Sequence, residues 1–131
     1  MYIPAGFNAV TPYFFVKDAD AFVRFLVDGL GGIEILRTLR ADGNIANAQI
    51  RLNTSTVMVS EASEAYPPMA AAYYLYVENA DAAMARALAH GATLDMPVGN
   101  MPYGDRQGGV RDPHGNLWWI SERLVQAPYV A

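Results

Sequence analysis

The sequence repeats itself at an offset of 61 positions. Residues 10–21 (VTPYFFVKDADA) fall on residues 71–82 (AAYYLYVENADA), and near the other end of the block Ser60-Glu61 falls on Ser121-Glu122. One offset that holds at both ends of a block indicates two copies of a single supersecondary unit. We therefore predict one domain over residues 1–131, built from modules 10–61 and 71–122 and joined by a linker over residues 62–70.

Each module begins with an aromatic-rich strand, predicted over residues 11–16 and 72–77. A short polar turn follows, in which Asp20 or Asp81 is placed to cap the N-terminus of a helix. The helices are predicted over residues 19–28 and 81–90, and glycines end both. Their predicted buried positions, taken from the spacing of apolar residues, are Phe22, Val23, Phe25 and Leu26 in the first helix and Met84, Ala87 and Leu88 in the second.

Three short strands complete each module. They are predicted over residues 33–40, 45–52 and 56–60 in the first module, and over residues 93–97, 106–112 and 117–121 in the second. Tight turns over residues 41–44 and 112–116 connect two of the strand pairs. The order strand-helix-strand-strand-strand occurs twice, so the predicted fold class is α+β with two tandem βαβββ modules.

The two modules and the ending VRDPHGNLWWISE resemble the vicinal oxygen chelate superfamily, which includes glyoxalases, bleomycin-resistance proteins and dioxygenases. The stretches VTPYFFVKDADAFVRFL, LYVENADAAMARALAHGA and PYGDRQGGVRDPHGNLWWI are most similar to its PhnB-like branch. The resemblance covers residues 8–124. It implies that curved mixed sheets form a cup, with the helices outside, in which members coordinate a divalent metal or hold a drug. It also implies a homodimer.

The metal-ligand positions implied by the resemblance carry no suitable donors here. They fall on Thr11 and Ala72 in the first strands and on Met58 and Trp119 in the last strands. Zn²⁺, Mn²⁺ and Fe²⁺ prefer imidazole or carboxylate ligands. Some PhnB-like relatives carry His and Glu where this chain has Asn47 and Gln49. We expect no metal and no cofactor.

The two histidines of the chain fit structural roles. His90 lies beside the predicted helix end at Gly91, where a cationic side chain suits the negative end of the helix dipole. His114 lies in the tight turn over residues 112–116. Neither is expected on an inward-facing strand position.

Side chains alternate between the two faces of a strand, which predicts what lines the cup. The inward, ligand-binding candidates are Thr11, Tyr13, Gln49, Met58, Tyr74, Tyr76, Trp119 and Ser121, with Arg106 as a possible partner for a ligand carboxylate. The opposite, core-facing set is Phe14, Val16, Val57, Val59, Leu75, Val77, Trp118 and Ile120. Two alternatives stay open: the aromatic side chains fill the cup or an interface, and Arg106 pairs with a nearby acid such as Asp105.

Composition narrows the class of partner. The formal charge of −4 argues against a nucleic-acid partner and favours a neutral, aromatic or cationic small molecule. The absence of cysteine excludes disulfides and thiolate metal sites. No apolar run reaches the ~20 residues of a membrane span, and the first ten residues do not resemble a signal peptide. We expect a cytoplasmic protein that does not contact membranes.

Three functions remain compatible with the sequence. The first is a metal-independent small-molecule binding protein of the drug-sequestration kind, with an antibiotic as one possible ligand. The second is a metal-free isomerase, epimerase or hydrolase, for which Glu61 and Glu122 are the only acid–base candidates, both expected at the solvated rim. The third is a degenerate, non-catalytic module. No catalytic residue is assigned.

Overall fold

The computed structural model describes residues 1–130, which divide into two compact units, Met1–Ala70 and a second unit that begins at Ala71. Each unit has the element order strand-helix-strand-strand-strand. This order confirms the predicted α+β class and the βαβββ modules. Within residues 1–130, no helix has both the length and the apolar character to cross a membrane.

The first unit is a four-stranded mixed sheet with one helical segment. Its elements are β1 (Tyr13–Val16), α1 (Ala19–Arg24), a π-helical turn (Phe25–Gly29), β2 (Ile33–Leu39), β3 (Ile45–Leu52) and β4 (Ser55–Glu61). The strand order is β1-β4-β3-β2, with β1 parallel to β4 and the other pairs antiparallel. A Cβ atom on Gly32 would lie 2.8 Å from Ile50, so glycine allows the chain to turn closely against β3 after the helix.

The second unit repeats this arrangement. It contains β5 (Ala72–Tyr76), α2 (Ala80–Ala89), β6 (Thr93–Asn100), β7 (Asp105–Arg111) and β8 (Leu117–Arg123), in the strand order β5-β8-β7-β6. Strand β6 continues three residues beyond the prediction, past Pro97. A proline cannot donate to a strand partner, and β6 tolerates it because it is an edge strand with an irregular register.

The core lies between each sheet and its helix, because α1 packs against β1, β3 and β4, and α2 packs against β6, β7 and β8. Six of the eight predicted core-facing strand residues are buried, and Leu75 and Val77 are half-buried. Burial of each large apolar side chain contributes about 1.5–3 kcal/mol. The predicted helix residues are buried too, except Leu88. That prediction was wrong: Leu88 is 38% exposed, and Ala80 joins Met84 and Ala87 on the buried face instead.

The prediction that Asp20 or Asp81 caps a helix was also wrong. The N-cap side chains are Asp18, which accepts a hydrogen bond from the backbone N–H of Ala21, and Asn79, which accepts one from Ala82. Asp20 and Asp81 lie in the first helical turn and pair with arginines. An N-cap residue must precede the first turn so that its side chain can accept hydrogen bonds from the free N–H groups of that turn. The N-cap residues therefore lie two positions before Asp20 and Asp81.

The two glutamates that end the modules complete these helix starts. Glu61 accepts hydrogen bonds from the backbone N–H groups of Asp18 (3.0 Å) and Ala19 (2.9 Å), and Glu122 accepts one from Ala80 (2.9 Å). Both glutamates are half-buried rather than at a solvated rim. A carboxylate at a helix N-terminus satisfies unpaired donors and the positive end of the dipole, so the matching glutamates of the repeat are structural.

Candidate functional site: the helix-free faces of the two sheets

In the first unit, three predicted site residues stand in one row across the sheet. Met58 on β4 is the register partner of both Tyr13 on β1 and Gln49 on β3. Register partners share a face, and their neighbours Phe14, Val57 and Val59 are buried on the side of the helix. The row therefore lies on the face opposite α1. Phe15 extends it, since its ring stacks on Tyr13 with the ring centres 4.9 Å apart.

A chain of polar groups crosses this face. The Gln49 amide donates to the Asn47 side-chain oxygen (3.3 Å), and the Asn47 amide donates to the Tyr13 hydroxyl (3.2 Å). The Tyr13 hydroxyl is 2.6 Å from the Ser60 hydroxyl, which donates to the carbonyl oxygen of Ala46 (2.7 Å). The two amides at positions 47 and 49 thus bind each other and the tyrosine, which fixes the orientation of groups that a ligand would meet.

The N-terminal segment folds over this face, and the two line an open pocket of about 470 Å³. Hydrogen bonds from Thr56 to the carbonyl oxygen of Gly6 (2.7 Å) and from Asn8 to Ser55 (3.0 Å) hold the segment in place. The pocket falls in the size range of small-molecule sites. It brings together three predicted site residues, Thr11, Gln49 and Met58, with residues that the sequence did not indicate: Met1, Tyr2, Ile3, Pro4, Phe7, Asn8 and Ala9.

The second sheet has equivalent rows. Tyr74, Trp119 and Gly109 are register partners in one row, and Tyr76, Ser121 and Gln107 are partners in the next. A Cβ atom on Gly109 would lie 2.7 Å from the Trp119 ring. The indole therefore lies against the β7 backbone, and only glycine leaves it that space. The Gln107 amide donates to the Ser121 hydroxyl (2.6 Å) and its oxygen accepts from Tyr103.

Asp105 is the central polar residue of the second sheet, and the sequence prediction missed it. Its carboxylate is fully buried and accepts hydrogen bonds from the hydroxyls of Tyr74 and Tyr129 (2.7 Å) and from Arg123 (2.9 Å). Burial by itself raises the pKa of this carboxyl, but the two tyrosines and the arginine outweigh burial and hold the pKa below its usual value. Strand alternation places Asp105 on the face of Gln107. The predicted strand began one residue too late to reveal this.

Arg106 does not join the other predicted site residues. It is adjacent to Gln107 in the strand and therefore points to the opposite face, where its guanidinium binds the carboxylate of Asp81 on α2 (2.7 Å and 3.0 Å). The alternative that Arg106 pairs with a nearby acid is confirmed, but the acid is Asp81; Asp105, named as the example, pairs with Arg123 instead. The hydrogen bonds with Asp81 also raise the pKa of Arg106.

The residues at the family's metal-ligand positions do not fit a metal. Thr11, Met58, Ala72 and Trp119 offer a hydroxyl, a thioether, a methyl group and an indole, which are poor donors for Zn²⁺, Mn²⁺ or Fe²⁺. Among residues 1–130, no three His, Asp or Glu side chains cluster in a way that could hold a metal ion. His90 is the C-cap residue of α2, and His114 lies in the turn before β8, as predicted.

Comparisons with known proteins identify a family, relatives and solved structures that are similar to this chain. The family model of the Glyoxalase/Bleomycin resistance protein/Dioxygenase superfamily matches residues 6–120. The uncharacterised protein Mb0911c of Mycobacterium bovis is 30% identical over 125 residues, covering 87% of this chain and 82% of that protein. The crystal structure of TioX from Micromonospora sp. ML1 matches with a TM-score of 0.77 at 28% identity, covering 89% of this chain and 99% of TioX.

TnmS3 from Streptomyces sp. CB03234 has the same fold, with a TM-score of 0.68 at 21% identity, covering 88% of this chain and 97% of TnmS3. The narrower assignment to the PhnB-like branch stays a prediction. The repeated βαβββ unit, the matched model and the similar structures agree, and the chain belongs to the Glyoxalase/Bleomycin resistance protein/Dioxygenase superfamily.

Proposed function

We propose that this chain is a metal-independent small-molecule binding protein whose ligand occupies the first-unit pocket. The observation that carries the proposal is the composition of that pocket. Apolar side chains of the N-terminal segment and Met58 provide most of its lining, and Gln49 and Thr11 add polar groups at the sheet. Such a pocket favours a flat, largely apolar molecule that is oriented by a few hydrogen bonds.

The polar groups of the pocket are already orientated by the protein. The Thr11 hydroxyl donates to the carbonyl oxygen of Asn8 (3.0 Å), and the Gln49 amide nitrogen is held by Asn47. The remaining Gln49 oxygen receives no hydrogen bond from residues 1–130, so it is available to a ligand N–H or O–H group. A ligand that buries about 200 Å² of apolar surface there gains roughly 5 kcal/mol from that burial.

Two further points support an antibiotic as the ligand. TnmS3, which has this fold, is an antibiotic binding protein. The formal charge of −4 favours a neutral or cationic molecule over an anionic one. The enzymatic alternative is weaker, because Glu61 and Glu122, its acid–base candidates, are bound to helix N-termini. A general base must reach the proton that it removes.

The test is isothermal titration calorimetry of the full chain, in EDTA, against a panel of aromatic and glycopeptide antibiotics. Thr11→Trp fills the pocket, and Thr54→Trp places the same side chain on the exposed turn between β3 and β4. We expect saturable binding by at least one compound, more than tenfold weaker in Thr11→Trp and unchanged in Thr54→Trp. Binding that appears only after Zn²⁺ or Mn²⁺ is added would refute metal independence.

The proposal includes a homodimer. Strand β2 exposes four large apolar side chains, Ile33, Ile35, Leu36 and Leu39, and exposed apolar strands of this kind promote association. Sedimentation velocity of the wild type, of Ile35→Lys and of Leu88→Lys tests it, since Leu88 is an exposed apolar residue on α2. A dimer that only Ile35→Lys dissociates supports the proposal. A monomeric wild type at every concentration contradicts it.

A further inference from the structure

The C-terminal segment of the chain folds back onto the helix-free face of the second sheet. After β8 the Leu124 N–H donates to the carbonyl oxygen of Gly104 (2.9 Å). The Arg123 guanidinium then donates to the carbonyl oxygens of Ala127 (2.7 Å) and Pro128 (3.2 Å). These contacts place the ring of Tyr129 beneath Arg123, with the guanidinium carbon 4.1 Å from the ring centre.

The hydroxyl of Tyr129 reaches a buried polar site. It donates to the Asp105 carboxylate (2.7 Å) and lies 2.6 Å from the Tyr76 hydroxyl. Asp105 is itself fully buried and held by Arg123 and Tyr74. The phenol group is thus bound at three points: its hydroxyl donates a hydrogen bond to a carboxylate, its oxygen accepts a hydrogen bond from a second hydroxyl, and a cation covers the face of its ring.

We propose that this position is a binding site for the phenolic group of a ligand, and that Tyr129 occupies it as an intramolecular substitute. The inference rests on the proposed function, since it names a chemical class for a small molecule bound by this fold. Tyr129 is 47% exposed, and residues 124–130 are all exposed. Apart from the contacts of Tyr129 itself and the backbone hydrogen bond at Leu124, Arg123 supplies the hydrogen bonds that hold this segment, so a ligand that makes the contacts of Tyr129 can displace its ring.

The surrounding groups select a phenol over other polar groups. The buried Asp105 carboxylate repels an anion and requires a hydrogen-bond donor, whereas Arg123 repels an ammonium group and favours an aromatic face. The hydroxyls of Tyr129 and Tyr74 also stay protonated. The hydrogen bond with Tyr76, burial and Asp105 raise the pKa of Tyr129, and burial together with Asp105 raises the pKa of Tyr74.

The experiment is a ¹⁹F NMR titration with 4-fluorophenol as the probe and 4-fluoroanisole, which lacks the hydroxyl proton, as its matched control. In the full chain, Tyr129→Ala vacates the site and Val130→Ala alters the neighbouring residue only. A tethered competitor weakens ligand binding, because the apparent dissociation constant equals the intrinsic one divided by the fraction of molecules whose site is free. We expect 4-fluorophenol to bind Tyr129→Ala at least ~10-fold more tightly than the wild type or Val130→Ala, and 4-fluoroanisole to show no gain.

Equal affinity of 4-fluorophenol for the wild type and Tyr129→Ala would overturn the inference, as would an equal gain for 4-fluoroanisole. The titration is repeated in the double variant Thr11→Trp/Tyr129→Ala, in which the first-unit pocket is filled. A gain that persists places the phenol in the second unit, and a gain that disappears overturns the inference. If no antibiotic of the panel binds, the proposed function is refuted instead, because that titration tests binding at the first-unit pocket.

Discussion

The carboxylate of Asp112 organises the turn before β8, the strand that carries Trp119 and Ser121. One oxygen accepts the backbone N–H groups of His114 (2.8 Å) and Asn116 (3.0 Å). The other accepts the side-chain N–H groups of Asn116 (2.9 Å) and Trp118 (2.8 Å). Asn116 is fully buried and in turn accepts the N–H of Ala71 (3.1 Å), just before β5.

The substitution Asp112→Ala removes all four hydrogen bonds. A hydrogen bond to a charged group contributes about 1.5–3 kcal/mol, and a buried donor that loses its acceptor has a similar cost. The four contributions do not add, because water can reach the backbone donors once the turn relaxes. We expect the free energy of unfolding to fall by about 3 kcal/mol, and Tm to fall by about 10 °C for a chain of this length.

Urea and thermal denaturation followed by far-UV circular dichroism measure this loss. Tryptophan emission is a second probe, because both tryptophans lie in the second unit. Asp42→Ala is the control: Asp42 accepts the Asn44 N–H (2.9 Å) in the turn between β2 and β3 of the first unit but is exposed, so its loss is expected to be under about 1 kcal/mol. A loss below about 1 kcal/mol in Asp112→Ala would refute the reasoning.

Three further predictions concern the strands and helix that flank the site. Gly109→Ala drives a methyl group into the Trp119 ring, so we expect a loss of about 1–3 kcal/mol in unfolding free energy and a shift in tryptophan emission. Glu122→Ala leaves the Ala80 N–H at the helix start without its acceptor, which lowers the unfolding free energy by about 1 kcal/mol in urea denaturation. The pKa of Asp105 is lower in the folded chain than in the unfolded chain. The ionised carboxylate therefore stabilises the fold above the unfolded pKa of about 3.9, and this stabilisation is lost as pH falls through the folded value. The stability difference between wild type and Asp105→Asn should therefore shrink as urea midpoints are measured from pH 6 towards pH 3.

Each of these predictions has a control. Gly99→Ala adds the same methyl group on β6, where the nearest atom is 4.0 Å away, and should leave stability and emission unchanged. Glu122→Gln keeps an acceptor oxygen, so its unfolding free energy should fall less than that of Glu122→Ala. A stability difference for Asp105→Asn that stays constant across the pH range would contradict the assigned pKa direction.

The sequence by itself determined the repeated module and the faces of its strands. The 61-residue offset predicted both βαβββ units, and alternation predicted that Phe14 and Ile120 are buried while Met58 and Trp119 share equivalent rows. These features are local and periodic, so they can be read from spacing. The poor metal donors at the family's ligand positions were also readable, since they depend only on which residue occupies each position.

Only the tertiary structure decided which polar groups meet. Spacing could not show that Arg106 binds Asp81 or that Asp105 binds Tyr129 from the C-terminal segment. Nor could it show that the N-terminal segment lines a pocket with Met58. These contacts join residues far apart in the chain and follow no period. They are set by sheet register and by the path of the terminal segments, and both depend on how the whole module packs.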